Sequence, residues 1–143
     1  MAYLAELKQI RIKEYAYICI FSYICIIKSY LNIFMPLVQS TGIRRALILM
    51  GPRRVGKTVM MFHTIQRLID SGVSALNIIY ISVETPIYNK IYLEQLFVLA
   101  CQILGKNPTQ EQMYVFYDEI QYLKEWEIDL KSLVDTYRNV KFV

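Results

Sequence analysis

Gly51-Pro52-Arg53-Arg54-Val55-Gly56-Lys57-Thr58 fits the pattern G-x-x-x-x-G-K-[ST]. The spacing has a physical purpose. Gly51 and Gly56 allow a tight turn with no Cβ in the way of a ligand. Successive backbone N–H groups can then face inward as an anion-binding nest. The loop runs into a helix N-terminus, whose unpaired N–H groups and dipole also favour phosphate. Lys57 is placed to reach the β- and γ-phosphates of a nucleotide, and the Thr58 hydroxyl to ligate Mg²⁺.

The flanks supply the context that the motif requires. Ala46-Leu47-Ile48-Leu49-Met50 is a short apolar run that predicts a buried parallel strand. Val59 to Ile69 predicts a helix, with Phe62, Ile65, Leu68 and Ile69 at helical spacing and Ser71-Gly72 as its stop. Strand, glycine-containing loop and helix follow in the order of a phosphate-binding unit.

A second signal lies downstream. Met113-Tyr114-Val115-Phe116-Tyr117 is a strand-like run of β-branched and aromatic residues that ends in Asp118-Glu119. Carboxylates at the C-terminal end of a buried strand belong beside the mouth of the loop, where open α/β sheets bind ligands. Asp118 is placed to hold Mg²⁺ through its waters. Glu119 is placed to act as general base on an attacking water. A plain solvated turn would also begin with such a pair; the upstream loop favours the catalytic reading.

These two motifs, GPRRVGKT and YVFYDEIQYLKEWEIDLKSLVDTYRNVKFV, resemble prokaryotic AAA-type P-loop ATPases. The resemblance covers about residues 44–143. It implies a three-layer α/β P-loop NTPase core with a parallel sheet of about four strands. It also implies ATP and Mg²⁺ as ligands, with residues 51–58 around the nucleotide and Asp118 and Glu119 in the roles just given. Trp126 matches a family tryptophan taken as a packing residue. Many members carry a further C-terminal domain, absent here.

The sequence closes on Val140-Lys141-Phe142-Val143, a predicted core strand after the helical stretch Glu127–Tyr137. The family places a polar sensor residue, a fifth strand and usually an arginine beyond this point, and Arg138 does not match that arginine. The expectation is therefore nucleotide binding, with efficient hydrolysis dependent on elements that this chain lacks. A further expectation is an exposed apolar edge on strand 46–50, where the fifth strand would lie.

The remaining segments support an α/β domain. Asn77–Val83 predicts a strand ending at Glu84, which is either a turn carboxylate or a residue facing the nucleotide. Leu93–Leu104 predicts a helix with Leu93, Leu96, Phe97, Ala100 and Leu104 on one face, stopped by Gly105-Lys106-Asn107-Pro108.

Composition narrows the alternatives. The 143 residues suffice for one domain with a real core. Sixteen Lys and Arg against twelve Asp and Glu give +4, without the dense basic stripe that marks a nucleic-acid surface. Cys19, Cys25 and Cys101 lack metal-ligand spacing, which suits small buried hydrophobes in a reducing cytoplasm. With His63 as the one histidine, no histidine metal cluster can form.

Residues 15–38 stand apart, and the sequence divides at about 40 into a hydrophobic helical segment, 1–40, and the nucleotide-binding domain, 41–143. Over 15–38 only Lys28 is charged. The length fits a membrane span. A charge near the bilayer centre costs about 2.5–3.5 kcal/mol, however. Ser22, Cys25, Ser29 and Asn32 also form a polar stripe at helical spacing. A buried or partner-facing helix is thus favoured over membrane association, and another subunit could cover it. Three function classes follow: an ATPase domain that needs completing parts, a membrane-attached or partner-docking nucleotide module, and an inactive truncated remnant.

Overall fold

The computed structural model describes residues 28–88 and 91–143. A helix, α1, occupies 28–39. The contacts divide the chain between Phe34 and Met35, inside this helix, and Met35–Val143 forms one compact unit. Among the described residues no helix is long and apolar enough to cross a membrane. The expectation for residues 15–27 lies outside them.

Within this unit the order is α2 (Lys57–Asp70), β1 (Ile78–Ser82), α3 (Leu93–Leu104), β2 (Met113–Asp118), α4 (Trp126–Thr136) and β3 (Val140–Phe142). The three strands form one parallel sheet in the order β1-β2-β3. Tyr80 pairs with Phe116 and Ser82 with Asp118 across β1 and β2, while Met113 pairs with Val140 across β2 and β3. Helical crossovers cover a parallel sheet on its faces, so a central strand must be apolar on both sides. All six residues of β2 are accordingly buried.

Alternation along the strands sorts the two faces. Ile79, Met113, Val115, Tyr117, Val140 and Phe142 point into the main core, where they meet Leu93, Leu96, Phe97 and Cys101 of α3 and Leu130 and Leu133 of α4. Phe97 holds this core together through edge contacts, 4.9 Å from the ring of Tyr137 and 5.6 Å from that of Phe142. Asp129 of α4 accepts the Leu93 N–H at 3.2 Å and so satisfies a donor at the start of α3. Gly105, at φ 63°, ends that helix in the left-handed conformation natural to glycine.

The other face carries α2, which touches the sheet through Thr58 to Asp118 and Phe62 to Tyr80. Here the buried stripe differs from the expected one. Met61, Thr64 and Leu68 are buried, whereas Phe62 and Ile69 are exposed and Ile65 is half-buried. Thr64 can take a core position because its hydroxyl donates to Met60 O at 2.8 Å. Apolar periodicity alone passes over such a residue.

Residues 46–50 also depart from the expectation of a buried strand. They form no strand, and Ile48 and Met50 are 56% and 89% exposed. One backbone bond, Leu47 N–H to Phe142 O at 3.0 Å, places the segment beside β3. A single bond of this kind positions a chain without building a ladder.

Lys141, between two core residues of β3, projects to the opposite face and is only 4% exposed. Its ammonium donates to Ser40 O at 3.1 Å, at the C-terminal end of α1, where the helix dipole favours a cation. Burial lowers its pKa, and Arg45 adds to the effect.

Candidate nucleotide site

The loop 51–56 connects the edge segment to α2. Its backbone needs two left-handed residues, Arg54 at φ 65° and Gly56 at φ 88°. Gly56 accepts that conformation without cost, and Arg54 does so under strain. At Gly51 a Cβ would meet Val55 Cγ2 at 3.2 Å, closer than ordinary contact, so the turn is built around its absence. Gly56 is the N-cap of α2 and supplies no side chain to the first-turn N–H groups. Those donors stay directed at the mouth of the loop.

Lys57 arches back over the loop. Its ammonium donates to Gly51 O at 3.0 Å and to Pro52 O at 2.9 Å. These bonds hold the cation at the mouth. Arg53, within the loop, donates to the Tyr122 hydroxyl at 2.9 Å and ties it to the turn after β2.

At the end of β2, Asp118 is 6% exposed and nearly saturated with donors. Its Oδ2 accepts from Thr58 Oγ1 at 2.8 Å and from the Tyr80 hydroxyl at 2.8 Å. Its Oδ1 accepts the Glu119 N–H at 3.0 Å. The last bond steadies Glu119, which is left-handed at φ 57° despite its Cβ. The Glu119 carboxylate in turn accepts from Gln121 Nε2. Burial, followed by the hydrogen bond to Asp118, raises the pKa of Tyr80, so the phenol keeps its proton and remains a donor.

The expected site residues therefore converge. Residues 51–58 form the loop and first helical turn, and Asp118 reaches that turn through Thr58. A shallow pocket opens beside them, with Lys57, Asp118, Glu119, Met61, Trp126 and Leu130 among its lining residues. Trp126 also packs against the main core. Glu84 is exposed and makes no contact with the loop residues among the bonds described. The sequence assigns no role to Tyr80, Gln121 or Tyr122, although Gln121 and Tyr122 lie within the stretch that carries the family resemblance. The β1–β2 register is what puts Tyr80 on the same face as Asp118.

The donor set suits Mg²⁺. Among the described residues no group of three or more His, Cys, Asp or Glu side chains could hold a metal ion. Mg²⁺ does not need one, since it binds through one or two protein oxygens and completes its octahedron with phosphate oxygens and water. Thr58 Oγ1 would be such an oxygen, with the Asp118 carboxylate 2.8 Å away to order a water of the ion.

Fold and loop together define a P-loop NTPase-like class of domain. Residues 43–143 match the AAA domain family. The chain belongs to that family. It is 29% identical over 96 residues to an uncharacterized protein of Methanocaldococcus jannaschii, an alignment covering 65% of this chain and 20% of that protein. It is 30% identical over 103 residues to an uncharacterized protein of Haemophilus influenzae, covering 71% of this chain and 25% of that protein. The chain thus spans about a fifth to a quarter of the length of these curated relatives. No solved structure matches it significantly.

Proposed function

We propose that residues 51–58 bind the polyphosphate of ATP, with Mg²⁺, and that the domain is the nucleotide-binding part of an ATPase. One observation carries this reading: the 2.8 Å bond from Thr58 to Asp118, which brings the phosphate loop and the strand-end carboxylate into one site. In such a site the loop N–H groups cradle the phosphates, and Lys57 exchanges its carbonyl partners for phosphate oxygens. Mg²⁺, when bound with the nucleotide, would neutralise phosphate charge. Thr58 and the waters ordered by Asp118 would hold it. Glu119 would accept a proton from the water that attacks the terminal phosphate, giving ADP and phosphate. Gln121 keeps that carboxylate oriented.

Hydrolysis needs further stabilising charge on the phosphoryl group as it transfers. We assign that contribution to parts of a longer protein or to a neighbouring subunit, in keeping with the greater length of the relatives. On this reading binding is the property of the described domain, and rapid turnover belongs to the assembly.

The test is competition against a fluorescent ATP analogue bound to the full chain in the presence of Mg²⁺. A phosphate cradle predicts that ATP and inorganic tripolyphosphate displace the analogue and that adenosine does not. Displacement by adenosine without displacement by tripolyphosphate would overturn the proposal.

A further inference from the structure

We infer that Tyr80, on β1, is a positioning residue for the cation site: its hydroxyl fixes the Asp118 carboxylate in one orientation, leaving one acceptor direction that would be free for a water of a bound Mg²⁺. The inference rests on the nucleotide reading above and adds a residue that no part of the phosphate-loop or strand-end motif contains.

The geometry has three parts. The phenol donates to Oδ2 at 2.8 Å, on the same oxygen that accepts from Thr58, while the Glu119 N–H occupies Oδ1. A carboxylate offers about four acceptor positions, so three donors leave one open direction and one rotamer. The strand register makes the contact possible. Tyr80 stands opposite Phe116 in the β1–β2 ladder, one pleat from the Ser82–Asp118 pair and on the same face. The long phenol spans that offset where a shorter side chain could not.

The ring itself is anchored. It lies 4.9 Å from the ring of Phe62, which sits one helical turn after Thr58 on α2. Tyr80 thereby joins the helix that supplies the hydroxyl ligand to the strand that supplies the carboxylate. If Thr58 turns its oxygen lone pair towards a cation, it can keep donating its proton to Oδ2. Tyr80 then prevents the carboxylate from rotating to follow it. A hydrogen bond to a charged acceptor is among the stronger ones, and its loss leaves the buried carboxylate less constrained.

Tyr80→Phe tests this, because it keeps the ring against Phe62 and deletes only the hydroxyl. Affinity of the full chain for the fluorescent ATP analogue is measured across a Mg²⁺ titration and again in EDTA. The expected result is a rise of about tenfold in the Mg²⁺ concentration needed for half-maximal enhancement of binding, with affinity in EDTA unchanged. A merely structural role would lower both affinities together. An unchanged Mg²⁺ requirement in Tyr80→Phe, alongside a raised one in Asp118→Asn, would overturn the inference and leave the nucleotide reading standing. Absence of any Mg²⁺ effect in the parent chain would overturn both.

Discussion

Thr58 and Asp118, sixty positions apart in sequence, meet through a 2.8 Å hydrogen bond between Oγ1 and Oδ2. The bond closes the sheet onto the first turn of α2. On the proposed reading, it joins the element that would cradle phosphate to the one that would order a cation. Removing either partner should separate those two capacities.

Thr58→Val deletes the hydroxyl at nearly constant volume. It should raise the Mg²⁺ concentration needed for nucleotide binding by about tenfold or more, because a hydroxyl ligand and a charge-assisted bond are both lost. Thr58→Ser keeps the hydroxyl and should remain within about threefold of the parent. Isothermal titration of ATP at several Mg²⁺ concentrations measures the difference.

Glu119→Gln addresses the chemistry. Binding of ATP should persist, since the loop and Asp118 are untouched. Hydrolysis by the assembled protein should fall by at least about 100-fold, the usual contribution of a general base. Phosphate release against time is the measurement. Equal rates in parent and variant would remove Glu119 from the mechanism.

The alkaline limb of stability has a named contributor. Burial raises the pKa of Tyr114 above its ordinary 10.0, so the folded state keeps a proton that the unfolded chain releases. Folding then gains from the protonated phenol below pH 10 and loses that gain as pH rises further. Tyr114→Phe should therefore flatten the fall in stability above pH 10, as followed by urea denaturation at successive pH values.

Much of this arrangement was legible in the sequence, for identifiable reasons. Leu93–Leu104 carries a regular apolar stripe and a glycine stop, and the helix has those bounds. Met113 to Tyr117 is apolar on both alternating sets, and it is the central strand. The loop, Asp118 and Glu119 are marked by spacing and composition. The illegible parts depend on three-dimensional pairing. Arg53 to Tyr122 and Tyr80 to Asp118 join residues 69 and 38 positions apart, and one sequence carries no record of register. The buried face of α2 was misplaced because Thr64 satisfies its own hydroxyl and can enter the core. Residues 46–50 have strand composition but one backbone bond to β3, and composition cannot count bonds.

The central claim is that the loop around Lys57 binds a nucleotide polyphosphate. Its most direct test is equilibrium binding of a fluorescent ATP analogue, with Mg²⁺, to the full chain and to Lys57→Ala. The account predicts saturable binding to the parent and affinity at least about tenfold weaker in the variant, because a cation at the phosphates is lost. Equal binding by both proteins, or none by the parent, would contradict it.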